Sequence, residues 1–452
     1  MKTIPTTADV IVIGGGPAGS TAANLLANYG HDVVLLEQAR HPRPVVGESV
    51  LPHFWKYADA LDATADIERA GFISKAGATG IWGGRIRQLR LADFGYTRPA
   101  LHVERDEFDE ILLRVAERRG ARVFEEVGVR QVHLDEGDTG VTCTDRQSGK
   151  EVRISAPFII DASGQAAVIA RQLGFRQFDK DLRFMSTWGY YENSDYIAAG
   201  GAIEPFKRRR DIRPTTLQLG IGDWGWAWHI VQKELTSVGL VLAPAQAAVF
   251  KASGATLEER FANTCSGMPV LSTLLQNARL VPDSVQAIRD FAYHPTTLSG
   301  PGWYLTGDAA AFVDPINSAG VITALYGGSA AAAAVNASLR RPERKTYYSE
   351  IFSTLLRQRL SLFRVAALPP GRNSYPEDIE PAAKGAQFDS AREQELLYIQ
   401  TEVMNRSENL APIHARDRRL NYFASTNYRE LTGLIPRKPE SGVSPAKPLA
   451  MT

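Results

Sequence analysis

The chain has 452 residues, of which 44% are apolar and 22% charged, so it is long enough for two or three domains and has the composition of a globular protein. Its 51 basic and 50 acidic side chains give a net charge of +1, which excludes a general attraction to nucleic acid or to an anionic membrane. The two cysteines, Cys143 and Cys265, are too few for a disulfide framework or a cysteine-based metal site, and we predict no metal site.

The N-terminus gives no sign of export. A short apolar run leads directly into glycines without the pattern of a signal peptide, and no apolar run reaches the ~18 residues of a membrane span. We therefore expect a cytoplasmic protein. The basic run "KRRRDIR" at 207–213 is expected to be a solvated loop, with a docking patch for an acidic partner as the alternative.

The segment "ADVIVIGGGPAGSTAANLLANYGHDVVLLEQ" predicts a strand, a glycine turn, a helix and a second strand. Gly14 permits the tight turn, Gly16 lets the backbone approach a diphosphate, and Gly19 lets helix and strand pack closely. Glu37 ends the second strand, where a carboxylate accepts hydrogen bonds from ribose hydroxyls. An acid at this position suits an unphosphorylated ribose, which favours FAD or NAD over NADP.

Three later segments continue the alternation of strand and helix. The first, 101–132, contains a helix, and the second, 153–174, is a strand that ends in "DASG" and leads into a helix. The third, 300–335, predicts a strand, a turn at Gly307 and Asp308, a loop through Asp314 and Pro315, and an alanine-rich helix from about Gly320.

Residues 176–299 are rich in aromatic side chains and in alternation, which predicts an antiparallel sheet with a helical stretch around 245–278. Within "GDWGWAWHIV", Trp224, Trp226 and Trp228 occupy alternate positions and therefore share one face of a strand. That face is either ordinary core or the wall of a pocket for a flat aromatic molecule. Beyond about 343 we expect helix, a loop at 369–387 and a flexible tail at 436–452.

The glycine fingerprint, "HVERDEFD", "DASG" and "LTGDAAAFVDP" together resemble the group A flavin monooxygenases. The resemblance implies that Asp308 binds the ribityl chain of FAD and that Arg105 lies against the cofactor. It also implies that the helix N-terminus near Gly320 and Val321 faces the flavin pyrimidine ring, where it stabilises negative charge.

A narrower resemblance covers residues 8 to about 340 and points to the tryptophan-halogenase-like branch of that family. It rests on "GESVLPHFW" (47–55), "FISKAGATGIWGG" (72–84), "GWAWHI" (225–230) and "DPINSAGV" (314–321). The resemblance implies that Glu48, Ser49 and Pro315 lie near the flavin. It further implies that Lys75 projects into a tunnel between flavin and substrate and handles hypohalous acid, whereas base rates alone favour a solvated lysine.

Residues and resemblance together predict an α/β (α+β) fold with a Rossmann-like FAD-binding domain of the glutathione-reductase type, a mixed or antiparallel substrate sheet and a helical C-terminal region. The predicted boundaries are 1–175 and 286–342 for the two parts of the FAD-binding domain, 176–285 for the substrate domain and 343–452 for the C-terminal region.

Val231 stands where the branch has proline, and this departure favours hydroxylation over halogenation. The leading prediction is an FAD-dependent monooxygenase that hydroxylates an indole or phenol through a flavin C4a-hydroperoxide. The ring could belong to a tryptophan within a peptide or partner protein, as in relatives that start a tryptophylquinone cofactor. The alternatives are a halogenase that uses Lys75, a polyprenyl double-bond reductase and a non-catalytic flavin-binding module.

The chain has a single dinucleotide fingerprint, so a second nucleotide-binding domain for NAD(P)H is not expected. Reducing equivalents would come from a partner flavin reductase, from FADH2 supplied in solution or from transient docking of NAD(P)H. Trp188, Tyr190 and Tyr191 are further candidates for the pocket wall, and His229 is expected to be structural because it faces away from the tryptophans.

Overall fold

The computed structural model describes residues 3–82, 85–94, 96–135, 137–222 and 225–367. Trp224, the loop at 369–387 and the tail at 436–452 lie outside the described residues. Of the predicted C-terminal region, the described part is helical.

The strands are short, from two to eight residues long. They are β1 Val10–Ile13, β2 Val33–Leu36, β3 Ser49–Val50, β4 Ile73–Lys75, β5 Gly77–Trp82, β6 Arg85–Arg90, β7 Ala100–His102, β8 Arg122–Phe124, β9 Val127–His133, β10 Gly140–Asp145, β11 Glu151–Ser155, β12 Phe158–Asp161, β13 Arg176–Phe178, β14 Met185–Glu192, β15 Tyr196–Ile197, β16 Ile203–Glu204, β17 Thr215–Ile221, β18 Gly225–Val231, β19 Thr236–Leu242, β20 Arg279–Leu280, β21 Gln286–Arg289, β22 Tyr293–Pro295, β23 Ser299–Gly300 and β24 Trp303–Leu305.

The helices connect or cover these strands. They are α1 Pro17–Asn28, α2 Trp55–Leu61, α3 Thr64–Ala70, α4 Arg105–Arg118, α5 Val168–Gln172, α6 Pro244–Ala252, α7 Leu257–Ser266, α8 Pro269–Leu274, α9 Gly320–Arg340 and α10 Lys345–Ala367. Single turns of 3₁₀ helix lie at Pro52–Phe54, Leu91–Phe94, Gly164–Ala166, Phe206–Arg208, Gly307–Ala309, Pro315–Asn317 and Pro342–Arg344.

A six-stranded sheet in the order β23-β24-β12-β1-β2-β8 forms the centre of the nucleotide-binding half. The four pairings from β24 to β8 are parallel, and β1, α1 and β2 form the crossover unit predicted from the sequence. All four residues of β1 are buried, as expected for a β-branched strand covered on both faces. Helix α1 begins at Pro17, whose fixed φ suits the first helical position.

A larger mixed sheet forms the second half, in the order β20-β14-β19-β18-β17-β5-β6 with β21 also pairing β14. Its pairings are antiparallel except that of β17 with β5. Strands β5 and β6 come from 77–90 and β21 from 286–289, so the sheet draws on chain segments outside the predicted range 176–285. Helices α6–α8 cover one face, within the stretch predicted to be helical.

The mixed α/β architecture agrees with the predicted fold class, in which a Rossmann-like unit is joined to a mixed sheet. The main core lies between the parallel sheet and the helices α1, α4, α9 and α10. Helix α9 is long and apolar enough to cross a membrane, but 89% of its most apolar window is buried inside the fold, the position of a core helix.

Candidate functional site

A cavity of about 590 Å³ lies between the carboxyl ends of the parallel strands and one face of the eight-stranded sheet. Its size is that of a site for a cofactor or small ligand, and its place at the strand ends is the usual one in parallel sheets. The cavity brings together most of the sequence-predicted site residues: Gly14, Gly16, Glu37, Glu48, Ser49, Arg105, Trp226, Trp228, Asp308, Pro315, Gly320 and Val321.

The glycine turn is shaped by close backbone contacts. Gly14 has φ +103°, and a Cβ on it would lie 2.4 Å from the carbonyl oxygen of Ala162. Gly19 does not line the cavity; a Cβ there would lie 1.9 Å from the carbonyl oxygen of Gly14. Gly19 therefore holds the first turn of α1 against the loop, while Gly16 faces the open space.

Glu37 is buried at the end of β2 and anchors the glycine turn. Its Oε2 accepts a hydrogen bond from the backbone N–H of Gly15 at 2.7 Å, and its Oε1 accepts one from Ala39 at 2.8 Å. The guanidinium of Arg43 lies 3.9 Å away. The carboxylate thus organises the turn and still faces the cavity with lone pairs available for hydroxyl donors.

Arg105 connects the start of α4 to the loop before β3. Its guanidinium donates to both carboxylate oxygens of Asp109, at 2.8 and 3.0 Å, and to the carbonyls of Val46 and Gly47 at 3.2 and 3.3 Å. Burial raises the pKa of Asp308 to about 6, and the charge of Arg105 opposes this rise. Near neutral pH, Asp308 therefore presents a carboxylate to the cavity.

Glu48 is 1% exposed, and its position is fixed by two donors. The backbone N–H of Gly47 donates to Oε2 at 2.9 Å, and the hydroxyl of Tyr190 donates to Oε1 at 2.9 Å. Burial raises the pKa of Glu48, although these hydrogen bonds and Arg105 oppose the effect. Tyr190 thus acts on the cavity through Glu48, Trp188 lines the cavity directly, and Tyr191 packs into the core on the opposite face of the sheet.

The segment before α9 closes the cavity at its other end. Asp314 Oδ1 accepts from the N–H of Ile316 at 2.9 Å, and burial raises the pKa of Asp314 to about 7. Helix α9 starts at Gly320 with no acidic residue in its first turn, so its N-terminal N–H groups and positive dipole end face the cavity uncompensated.

Trp226 and Trp228 lie on one face of β18 and line the same cavity, whereas Trp224 is outside the described residues. Their ring centroids are 5.7 Å apart, and the indole N–H of Trp228 donates to Ser237 Oγ at 3.0 Å. His229 faces the other way and contacts Ser194 Oγ at 2.7 Å, which supports its structural role. Trp226 and Trp228 thus belong to a buried apolar cluster and also line the cavity, so a large apolar surface lies beside the strand ends.

Lys75 is predicted to project into the tunnel, but it does not line the cavity. It is 3% exposed and lies behind two hydroxyls that do. Its Nζ donates to Ser49 Oγ at 2.6 Å and to Thr216 Oγ1 at 3.2 Å. Burial lowers the pKa of Lys75 to about 7, and no carboxylate among the residues described contributes to this value.

A second buried base stands behind Thr216. His102 Nε2 lies 2.8 Å from Thr216 Oγ1, and its Nδ1 lies 2.9 Å from the carbonyl oxygen of Val231. Burial and the charge of Lys75 hold the pKa of His102 well below its ordinary value. The neutral ring therefore donates from Nδ1 to Val231 and accepts from the Thr216 hydroxyl, which leaves the Thr216 oxygen free to accept from Lys75.

Sequence reasoning missed Thr216, His102 and Ser318. Ser318 Oγ lies 2.8 Å from Ser49 Oγ, so it extends the Lys75 network to the start of α9. Ser318 stood within a segment already singled out, and its φ of +52° is rare for serine. His102 opens the motif "HVERDEFD", of which only Arg105 is predicted to be a site residue, and nothing in the local pattern marks Thr216. Among the described residues, no group of three or more His, Cys, Asp or Glu could hold a metal ion.

The chain is similar to known flavin-binding proteins. A family model for an FAD binding domain matches residues 7–189. The chain is 35% identical over 339 residues to a tryptophan 2-halogenase of Chondromyces crocatus, an alignment that covers 74% of this chain and 62% of the relative. It is 34% identical over 355 residues to the flavin-dependent halogenase armH3 of Armillaria mellea, covering 75% of this chain and 69% of that one.

The fold is also similar to that of the solved myxobacterial chondrochloren halogenase CndH. The two share a TM-score of 0.72 and 29% sequence identity, with 95% of this chain and 97% of that chain covered. The aligned part of the chain spans about three fifths of the length of the Chondromyces relative.

Proposed function

The chain belongs to the flavin-dependent halogenase family, in its tryptophan-halogenase-like branch, and from this premise we propose that it halogenates an electron-rich aromatic ring, an indole or a phenol, with FAD as cofactor. The observation that carries the proposal is the buried Lys75, which contacts two hydroxyls that face the same cavity as the FAD fingerprint.

This proposal reverses the order of the sequence-based hypotheses, which placed hydroxylation first because of Val231. The relatives support halogenation. Val231 is the last residue of β18 and pairs with Thr236, and its carbonyl oxygen contacts His102. The strand therefore reaches this position intact although valine stands where the branch has proline. The tryptophan pair and the Lys75 network are both present around this position. Hydroxylation of an aromatic ring remains the second candidate, and the test below separates the two.

The cavity residues fit FAD. We propose that Gly14, Gly16 and the start of α1 hold the diphosphate, and that Glu37 binds the adenosine ribose; the tight glycine turn and its hydrogen bond to Glu37 support this assignment. In the same proposal Asp308 binds the ribityl hydroxyls and the N-terminus of α9 faces the pyrimidine side of the ring, since both line the cavity. When bound and reduced, FAD supplies the activation of O2 that oxidises a halide ion to hypohalous acid.

We propose that the Lys75 network supplies a proton or a hydrogen bond at the cavity wall, through the hydroxyls of Ser49 and Thr216. With a pKa of about 7, Lys75 exists in both protonation states near neutral pH and exchanges a proton with the cavity through the hydroxyl of Ser49. In its charged form it polarises Ser49, which donates a hydrogen bond to the oxygen of hypohalous acid and makes the halogen more electrophilic. Trp226 and Trp228 exclude water from the same space.

Because the chain has one dinucleotide fingerprint, we propose that a partner flavin reductase, or reduced FAD supplied in solution, provides the electrons.

The test uses FAD-loaded protein that is reduced and then exposed to isotopically labelled O2 with chloride, with bromide or with neither. Candidate indoles, phenols and tryptophan-containing peptides serve as substrates, and the products are weighed by mass spectrometry. A product that carries the halogen and forms only with halide supports the proposal. Incorporation of labelled oxygen that does not depend on halide would support hydroxylation and overturn it. Lys75→Met should lose the halide-dependent product, whereas its control, Lys251→Met on the exposed face of α6, should form that product as wild type does.

A further inference from the structure

A group of cations that forms no ion pair with a carboxylate of the described residues lies between α2, α9 and α10. Lys56 and Arg359 are half-buried, and the positive charge of Arg359 acts on Lys56 and on His53. Burial and Arg359 lower the pKa of Lys56 to about 8. No carboxylate of the described part of the chain forms an ion pair with Lys56 or Arg359, although removing cations from water without a counter-ion is costly.

The same place holds two buried donors without acceptors among the residues described. The hydroxyl of Tyr57, a residue 2% exposed, has no hydrogen-bond partner, and neither does Nε of Arg359. Lys56 Nζ lies 5.0 Å from the ring centroid of Tyr57, and the charge of Arg359 acts on both residues, so the three side chains lie near one another. An ammonium, a guanidinium and a hydroxyl therefore converge with hydrogens to donate, which is the arrangement that a bound anion satisfies.

Aromatic rings connect this cluster to the flavin cavity. The guanidinium carbon of Arg359 lies 4.4 Å from the ring centroid of Tyr326 and 5.6 Å from that of Phe363. Phe363 and Leu360 both line the cavity. Phe363 follows Arg359 by one turn of α10, a rise of about 6 Å, so the guanidinium of Arg359 is separated from the cavity by the ring of Phe363.

We propose that Lys56, Arg359 and the Tyr57 hydroxyl form a subsite for the carboxylate of an aromatic acid, whose ring points toward the flavin cavity. The inference rests on the proposed function, because it names the substrate class of that reaction. The guanidinium accommodates a carboxylate with two parallel hydrogen bonds, and Lys56 and Tyr57 can donate to the remaining lone pairs. The neighbouring rings of Tyr326 and Phe363 suit the apolar part of such a molecule.

The test measures binding to the oxidised FAD-loaded protein, so it needs no turnover. Two matched pairs of probes are titrated by calorimetry: indoleacetate with tryptophol, and hydroxyphenylacetate with tyrosol. Within each pair the ring is the same and only the acid becomes an alcohol. We expect at least one acid to bind about tenfold or more tighter than its alcohol, a difference of about 1.4 kcal/mol, because only the carboxylate forms charge-assisted hydrogen bonds.

Lys56→Met and Arg359→Gln should each remove most of this preference, Lys56→Arg should retain it, and the control Lys251→Met should match wild type. Equal binding of acid and alcohol to the wild-type protein, or a preference that survives both charge-removing variants, would overturn the subsite. The halide-dependent product of wild-type turnover is measured separately. A protein that prefers acids but does not halogenate contradicts the proposed function alone, and a halogenase without acid preference contradicts the subsite alone.

Discussion

Replacing Lys75 with Met tests both the chemistry and the electrostatics of the buried network. Methionine has similar volume and no charge, so the cavity wall keeps its shape while Ser49 and Thr216 lose their donor. Positioned acid–base groups typically contribute 10²- to 10⁴-fold to a rate, and we expect halogenation to fall by at least about 100-fold. Product formation by mass spectrometry with bromide measures this loss.

The free energy of unfolding, compared between wild type and Lys75→Met, gives an independent test of the lowered Lys75 pKa. The pKa of Lys75 falls from 10.5 to about 7, which at about 1.36 kcal/mol per pH unit makes protonation roughly 5 kcal/mol less favourable in the folded protein. Between these two values the unfolded chain binds more protons than the folded one. The stability of the wild-type protein therefore rises with pH across this window. Below pH 7 the folded protein carries the full cost of burying the charged Lys75.

The Met variant lacks this titration, so the difference between the two proteins should depend on pH. Between pH 6 and pH 9 the wild-type free energy of unfolding should gain roughly 3 kcal/mol relative to Lys75→Met, measured by urea unfolding with FAD in excess. A difference that stays constant with pH, or a Met variant that halogenates at the wild-type rate, would refute the role assigned to Lys75.

Three further changes test the cofactor cradle and the tryptophan wall. Gly19→Ala should yield protein without bound flavin, because its Cβ would lie 1.9 Å from the carbonyl oxygen of Gly14. Its control is Gly30→Ala, where a Cβ would meet no atom within 4 Å. The control should stay yellow and lose only about 1 kcal/mol of unfolding free energy, because alanine is strained at the φ of +89° found there. Glu37→Gln should weaken FAD binding about tenfold in a fluorescence titration, because the amide nitrogen of glutamine would replace a carboxylate oxygen that accepts from the N–H of Gly15 or Ala39. Unchanged FAD affinity would show that Glu37 does not contribute to FAD binding. Trp228→Phe should cost about 1–3 kcal/mol of stability and release more H2O2 per O2 consumed, because a smaller ring admits water; full coupling in this variant would contradict the water-exclusion argument.

Much of the cofactor half could be predicted from the sequence because its determinants are local. Gly14, Gly16, Gly19 and Glu37 lie within one strand–helix–strand unit, where the spacing alone fixes which backbone groups meet. The alternation of Trp226 and Trp228 likewise fixes a shared face in any strand. These residues do line or support one cavity, although their roles toward FAD stay predictions.

The surroundings of Lys75 could not be predicted, because its partners come from distant segments. Strand β5 leaves the nucleotide-binding half and pairs in parallel with β17, which aligns Gly77 with Thr215 and brings Thr216 beside Lys75. Ser49 and His102 arrive through the small sheet β3-β7-β4. The sequence thus determined a turn that fits a diphosphate and a face of indoles. Only the tertiary structure decided that the lysine stands behind hydroxyls with a lowered pKa, because burial and long-range strand pairing depend on the whole fold and not on local spacing.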